Sequence, residues 1–310
     1  MTRIQFGFTM PYGAGTRAQR PIFVQNLDRA LDLVAGHFDS AWSIDHLLPD
    51  AADQLEGFTL LTYMAARHPQ LTFGHAVLCQ SFRNPALLAQ MGATLHFLSG
   101  GRFILGIGAG SSHGADEHRA YGYDFPPGPV RVEQLEETLQ IIRALWTQEQ
   151  ATFVGRHYRI RDARCEPKPN PMPLIMVGAF GSKMLHVTAK YADWWNVSST
   201  GVEGYQRLVE ECERACADVG RDPGTLRRSW CGGCACAPTQ GEAERFAGDL
   251  YRANNTDDDF GFVGTPQQLV EQMRAFVELG IDYFMLDCGG FPNLTTLELL
   301  ANEVLPALNA

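Results

Sequence analysis

The stretch LSGGRFILGIGAGSSHG, residues 98–114, decides how the rest of the chain reads. Gly100-Gly101 stops the helix before it, and Phe103-Ile104-Leu105-Gly106-Ile107 reads as a short strand buried on both faces. Gly108, Gly110, Ser111, Ser112, His113 and Gly114 follow in a loop almost free of bulk. A buried strand that ends in a small polar loop is how an α/β enzyme presents backbone N–H groups to a ligand. Gly106, Gly108 and Gly110 alternate, which is not the spacing of the dinucleotide-binding fingerprint. Neither a helix opening on Gly110 nor a ribose-binding acid accompanies them. Glycines in a strand also allow close packing with no ligand, so the stretch alone leaves two readings open.

Outward from it, short apolar runs alternate with helical periods. Strands are predicted over 4–10, 38–44, 71–79, 102–107, 174–178, 192–198, 226–237 and 281–286. Among the helices between them, 85–98 starts on Asn84 with Pro85 at its first position, and 265–279 runs from Thr265-Pro266 to the stop at Gly280. Between strands four and five lies an excursion. It comprises a polar Gly/Pro-rich loop over 115–129, an amphipathic helix over 130–146, a small hairpin within 152–160 and a proline-rich return over 167–173. Eight strands alternating with about eight helices in 310 residues predict an α/β fold, a (β/α)8 TIM barrel. It would be a single domain over 1–310 with an insertion after strand 4 at about 109–172. An open doubly wound sheet is the alternative.

The net charge of −10 argues against a general nucleic-acid surface, which needs a concentrated basic face. It leaves room for an anionic small ligand, since a few backbone amides and one or two arginines suffice for a phosphate. No apolar run is long enough to cross a bilayer, and the N-terminal MTRIQFGFTMP lacks a signal-peptide layout. The expectation is a cytoplasmic protein with a small-molecule substrate and with neither nucleic acid nor membrane as partner. The eight cysteines read as reduced thiols.

In such a barrel the chemistry sits at the C-terminal ends of the strands. Those ends carry Met10-Pro11-Tyr12, Asp45-His46, Cys79-Gln80-Ser81, Gly108 to His113, Gly178 to Ser182, Val197-Ser198-Ser199, a point near 235–238, and Asp287 to Phe291. They lack the paired carboxylates of a glycosidase and the HxH or HExxH spacing of a metal site. A histidine at a strand end, His46, can exchange protons near neutral pH, or else simply cap the next helix. Gly178-Ala179-Phe180-Gly181-Ser182 has the make-up of a phosphate cradle at a helix N-terminus, or of an ordinary tight connection. Cys231-Gly232-Gly233-Cys234-Ala235-Cys236 holds a CxxC, but with no second pair it reads as small thiols filling a core, as do Cys212 and Cys216. No metal site is expected. Trp42 and Trp194-Trp195 either wall an aromatic ligand or pack in the core. Arg102, at the N-terminal end of its strand, reads as structural.

With these residues placed, the chain resembles the bacterial luciferase-like monooxygenase superfamily, and within it the branch of F420-dependent oxidoreductases. The resemblance rests on FDSAWSIDHLLP (38–49), LTFGHAVLCQSFRNPALLAQMGATLHFLSGGRFILGIGAG (71–110) and RVEQLEETLQIIRALW (131–146) with EPKPNP after it. PLIMVGAFGSKMLHVTAKYADWWN (173–196) and GTPQQLVEQMRAFVELGIDYFML (264–286) extend it over most of the chain. It implies a homodimeric TIM barrel that binds either F420, a deazaflavin, or FMN at its mouth. It further implies that His46 acts near the reactive ring, as acid/base or as hydrogen-bond partner. Asp45, Ala76, Val77 and Cys79 would lie beside the cofactor, with a non-prolyl cis peptide at Ala76-Val77 under the ring. Gly108, Gly110 and Ser111, together with Gly178, Ala179, Phe180, Gly181 and Ser182, would hold the ribityl chain and phosphate.

The chain departs from its relatives in places. Some F420-dependent sugar-phosphate dehydrogenases carry a catalytic Glu where Ser111 stands, so the resemblance does not carry that activity over. Relatives often have a small polar residue in place of Ala76. The oligoglutamate tail of F420 favours basic groups, and Arg17, Arg20, Arg83 and Arg119 are available in predicted loops. Tyr12, Trp42, Phe82, His113, Trp195 and Phe291 are expected to line the substrate pocket, which points to a partly hydrophobic substrate. The expected function is hydride transfer between F420 and a small organic substrate, with His46 managing a proton. The alternatives are an FMN-dependent monooxygenase using O2, a non-catalytic flavin-binding homologue, and a metal-dependent hydrolase using the cysteines.

Overall fold

The structure, a computed structural model, describes residues 3–48, 53–110, 114–253 and 261–310. From the N-terminus the elements are β1 (Gln5–Thr9), α1 (Phe23–Val34), β2 (Ser40–Ser43), α2 (Gly57–Arg67), β3 (Thr72–His75), β4 (Leu78–Cys79), α3 (Pro85–Leu98) and β5 (Phe103–Gly108). The excursion follows as α4 (Ala115–Ala120), α5 (Gly128–Thr147) and the hairpin β6 (Ala151–Val154) and β7 (Arg159–Ala163). Then come β8 (Leu174–Gly178), α6 (Ser182–Tyr191), β9 (Trp194–Ser198), α7 (Val202–Asp218), β10 (Arg227–Cys236), α8 (Gln240–Ala253), β11 (Gly261–Gly264), α9 (Pro266–Glu278) and β12 (Tyr283–Cys288). The C-terminus winds through α10 (Thr295–Leu299), a π turn and α11 (Leu305–Leu308).

The parallel order β12-β1-β2-β3-β5-β8-β9 closes on itself because β10 pairs with both β9 and β12. Eight staves result, and the barrel is the one the sequence predicts. Strand three is split, with β4 continuing β3 along β5. Two elements go beyond the prediction. β11 adds a short parallel strand beside the end of β10. α4 forms inside what reads as a loop, because ADEHRA shows no apolar period. No helix among the described residues is long and apolar enough to cross a membrane.

Strand alternation sorts the side chains into two layers. One set, Phe6, Phe8, Phe73 and Phe284 among them, belongs to the large core shared with the helices. The other is a separate cluster of Trp42, Ile104, Met176, Trp194, Tyr283 and Met285, which fills the barrel itself. The rings of Trp42, Trp194 and Tyr283 meet at 4.8–6.3 Å. The guanidinium of Arg227 lies 4.5 Å from the Trp194 ring and 4.7 Å from the Tyr283 ring. Trp42 fits only because both flanking staves lack a side chain beside it. A methyl group at Gly7 would stand 2.3 Å from its indole nitrogen, and one at Gly74 2.4 Å from its six-membered ring.

This corrects two expectations about the substrate pocket. Trp42 is fully buried in the plug, too deep along β2 to reach the mouth. Trp195 points the other way from Trp194, out of the barrel, and stacks on Tyr205 of α7 at 5.8 Å. Both are core residues, the alternative that their sequence context left open.

His75 ends β3 with no solvent exposure, stacked on Phe58 at 5.2 Å. Burial, reinforced by the nearby charge of Arg83, pushes its pKa down to about 3. The unfolded chain therefore binds a proton at this ring below pH ~6.5 that the folded chain refuses. The stability this ring withholds is lost as pH falls from ~6.5 toward 3. Between pH 7 and pH 5 the loss is expected to reach about 2 kcal/mol, absent in His75→Leu, in urea titrations at the two pH values. Parallel curves for the two proteins would refute the assignment.

Candidate active site at the barrel mouth

The ends of β2, β3–β4, β5 and β8 are consecutive around the rim. After β2 the chain runs Ile44-Asp45-His46, and the two polar side chains go separate ways. The Asp45 carboxylate is fully enclosed. It accepts two hydrogen bonds from Arg83, at 2.7 and 2.8 Å, and one from the Cys79 N–H at 2.9 Å. Arg83 also contacts Glu56, which caps α2 by accepting from the Phe58 and Thr59 N–H groups. Asp45 therefore ties the loop after β2 to the end of β4, and both its oxygens are committed to the protein.

The His46 side chain is 54% exposed. Its Nδ1 lies 3.1 Å from Oε2 of Glu117, which α4 delivers from the insertion. The other carboxylate oxygen of Glu117 accepts the Leu47 and Leu48 N–H groups. Burial opposes the charge on Glu117, but these N–H donors and His46 outweigh it and hold the carboxyl below the ordinary glutamate range. An ionised acceptor at Nδ1 places the proton there and leaves Nε2 as the free nitrogen. Tyr121 adds a hydrogen bond to the Leu47 carbonyl at 2.6 Å. Glu117 escapes a reading of the sequence because α4 does; the one signal is an acid on a short polar run that follows the glycine loop.

The Ala76-Val77 peptide bond is cis, as the resemblance implies. Ala76 and Val77 pack against the barrel plug from above. The Val77 side chain also lies against β5 and β8. A methyl group at Gly108 would be 2.9 Å from it, and one at Gly178 3.2 Å. Glycines end both staves because Val77 occupies the space that side chains there would need.

Cys79 is buried, which pushes its thiol pKa up. Its Sγ lies 3.1 Å from Ser81 Oγ, and Gly110, at φ 77°, closes over it. Ser81 Oγ is 2.7 Å from His118 Nε2, while His118 Nδ1 donates to the Gly114 carbonyl at 2.7 Å. Phe82 packs on the His118 ring at 4.8 Å and is itself buried, so it supports this histidine from within. Ser111 and His113 lie outside the described residues.

At the end of β8, Ala179 is held by both backbone groups. Its N–H bonds to the Asn196 carbonyl, and its own carbonyl accepts from the Trp195 indole, each at 3.1 Å. Phe180 is largely exposed. Gly181, at φ 75°, then turns the chain into α6, whose first-turn N–H groups and Ser182 hydroxyl face outward without intrahelical partners. Ser182 is the helix's first residue.

The opposite arc of the rim holds a cavity of ≈ 140 Å³ walled by Tyr12, Asp249, Leu250, Asp287, Cys288 and Phe291, with glycines between them. Tyr12 and Phe291 thus come together as a pocket lining. Cys234, Cys236 and Cys288 are buried, and burial raises their thiol pKa values, that of Cys236 to about 12. Among the described residues no three His, Cys, Asp or Glu side chains are grouped to hold a metal.

The barrel is thus plugged from below, and one arc of its rim carries a carboxylate-held histidine and the N-terminus of α6. The luciferase-like monooxygenase profile matches residues 4–257, and the chain belongs to that family. A phthiodiolone/phenolphthiodiolone dimycocerosates ketoreductase from Mycobacterium sp. (strain JLS) is 34% identical over 70% of this chain and 63% of its own length. The chain thus spans less than two thirds of that relative. An F420-dependent glucose-6-phosphate dehydrogenase from Intrasporangium calvum is 28% identical over 87% of this chain and 90% of its own. An F420-dependent secondary alcohol dehydrogenase solved with an F420–acetone adduct superposes with a TM-score of 0.85 at 20% identity, over the whole of both chains. At that identity the likeness is one of fold.

Glu117→Ala strands the Leu47 and Leu48 N–H groups and is expected to lower the unfolding free energy by about 2 kcal/mol. Glu117→Gln still accepts both and should keep most of that stability; equal losses in urea titrations would show that the carboxylate's hydrogen bonds do not hold the loop.

Proposed function

We propose that the chain is an F420-dependent oxidoreductase that moves a hydride between the deazaflavin and a carbon of a small, partly hydrophobic alcohol or carbonyl compound. The observation that carries this reading is His46, held at Nδ1 by an ionised Glu117 and open at Nε2. The relatives named for F420, a ketoreductase and an alcohol dehydrogenase support the cofactor and the reaction class. The residues present fit the cofactor. The turn at Gly181 and Ser182 suits its phosphate, and Ala76 and Val77, packed on the barrel plug, give an apolar floor for a ring.

When bound, F420 supplies or accepts the hydride. The remaining work falls to the chain. A carbonyl carbon that gains a hydride needs a proton on its oxygen, which the doubly protonated His46 ring would give from Nε2, becoming the neutral Nδ1–H form; in the reverse direction the neutral ring takes the hydroxyl proton at Nε2. Glu117 positions that ring and meets the charge formed on it. Tyr12 and Phe291 offer the substrate apolar surface on the facing arc. Ser111 stands where some sugar-phosphate dehydrogenases of this branch carry a catalytic Glu, so sugar-phosphate oxidation is not assigned.

The test is a titration with oxidised F420 and with FMN, followed by absorbance. Saturable binding of F420 supports the reading, and tight FMN binding with none for F420 would replace it by a flavin monooxygenase. His46→Ala should lower turnover roughly 10²- to 10⁴-fold while F420 still binds. An unchanged rate would remove His46 from the proton transfer. Glu117→Gln should lower turnover on the order of tenfold.

We propose further that the chain pairs with a second copy through α3. Leu87, Met91 and Leu98 share one face of this helix, and Leu87 and Leu98 are 55% and 70% exposed, with Tyr63 of α2 also exposed. Sedimentation should give twice the mass of 34.3 kDa, and Leu98→Glu should give the monomer; a wild-type monomer would refute the pairing.

A further inference from the structure

Outside the mouth, a groove of ≈ 330 Å³ lies between α5 and α6, walled by Glu133 and Glu136 on one side and by Ser182, Lys183, His186 and Lys190 on the other. Ser182 belongs to both the cradle and the groove, so the groove leads away from the cradle. Lys183, His186 and Lys190 are three and four residues apart and share one face of α6.

The charges in this groove do not cancel evenly. Glu133 is paired with Arg156 and His157, each at 3.0 Å. Glu136 accepts from Lys190 at 3.1 Å and from the Tyr191 hydroxyl at 3.3 Å. Lys183 is near enough to Glu133 for its charge to help lower that carboxyl's pKa, yet it makes no direct ion pair with it; His186 faces the same groove. Both stand in the first two turns of a helix whose N-terminus adds partial positive charge. The basic loop residues that the sequence offers to an acidic tail are mostly committed elsewhere: Arg20 to Asp53, Arg83 to Asp45 and Arg119 to Asp116. What remains is a channel with Lys183 and His186 along one wall, beginning at the N-terminus of α6. An extended anion continuous with a phosphate fits such a channel.

We propose that this groove holds the oligoglutamate tail of F420, with the tail carboxylates over Lys183 and His186. The proposal rests on the F420 reading above and deepens it. FMN ends at its phosphate, so the groove recognises the part of the cofactor that FMN lacks. The chain thereby selects F420 at a site remote from the ring.

The experiment is a fluorescence titration of the purified chain with F420 bearing several glutamates and with its phospholactyl form, which has the phosphate but no glutamates. F420 is expected to bind about fivefold more tightly than the phospholactyl form, from two exposed charge contacts. The gap should shrink at about 0.5 M salt, where exposed charges are screened. The double variant Lys183→Ala/His186→Ala, which keeps the backbone N–H groups of the cradle and adds no negative charge, should close most of the gap and leave the affinity for the phospholactyl form within about twofold. Lys183→Ala, the milder change, should narrow it about twofold. Equal affinity of the wild type for both forms would overturn the groove assignment and leave the cofactor reading standing. Failure to bind either form would overturn both.

Discussion

Asp45 carries its charge where its side chain meets no solvent, and the arrangement of the mouth depends on how that charge is satisfied. An enclosed carboxylate is tolerable only when a cation and further donors replace the water it has lost. Arg83 supplies two parallel N–H bonds, and the Cys79 N–H supplies a third. The pair therefore fastens the turn after β2 to the turn after β4. With Asp45 drawn inward, its neighbour His46 is left facing the rim. A second acid, Glu117, then fixes the histidine from outside through Nδ1 and holds the Leu47 and Leu48 N–H groups with its other oxygen. One carboxylate anchors the loop and the other sets the tautomer of the ring it presents.

Below this layer the barrel is solid. Trp42, Trp194 and Tyr283 fill it, and Arg227 lies over two of those rings. Among the described residues, Ala76 and Val77 cover this plug toward the C-terminal end of the barrel. That cover is shaped by what its neighbours lack: Val77 reaches across β5 and β8 because Gly108 and Gly178 carry no side chain. The alternating glycines of FILGIGAG are thus explained by close approach at the strand's end, which is one of the two readings the stretch allows by itself.

The eight staves were legible because parallel strands covered on both faces are short, apolar and regularly spaced, and helix caps such as Asn84-Pro85 mark the intervals. His46 and the turn from Gly178 to Ser182 were legible for a related reason: once strands are counted, their ends locate the rim. Depth along a strand is harder to read. Trp42 and Trp195 lie close to strand ends in the sequence, but one points into the plug and the other onto Tyr205. Alternation assigns a side chain to a face; it does not say how far below the rim that face lies. Glu117 was hidden for a different cause, because six residues without an apolar stripe fold as α4 only through tertiary contacts, among them those of Glu117 itself to His46, Leu47 and Leu48.

The rim order separates two tasks. The ends of β2, β3–β4, β5 and β8 are adjacent, and they hold His46, the Val77 floor and the cradle. The ends of β12 and β1 lie on the opposite arc with the Tyr12–Phe291 cavity. The first arc is bound together by a buried ion pair and by interlocked glycines, so a change at Asp45, Gly108 or Gly178 disturbs several staves at once. The second is a pocket whose aromatic walls, Tyr12 and Phe291, stand on connecting segments outside the barrel interior. Substitutions there alter the shape of that cavity without touching His46 or the residues that hold it. The member of the luciferase-like family seen here thus joins a braced arc to a facing cavity within one barrel rim.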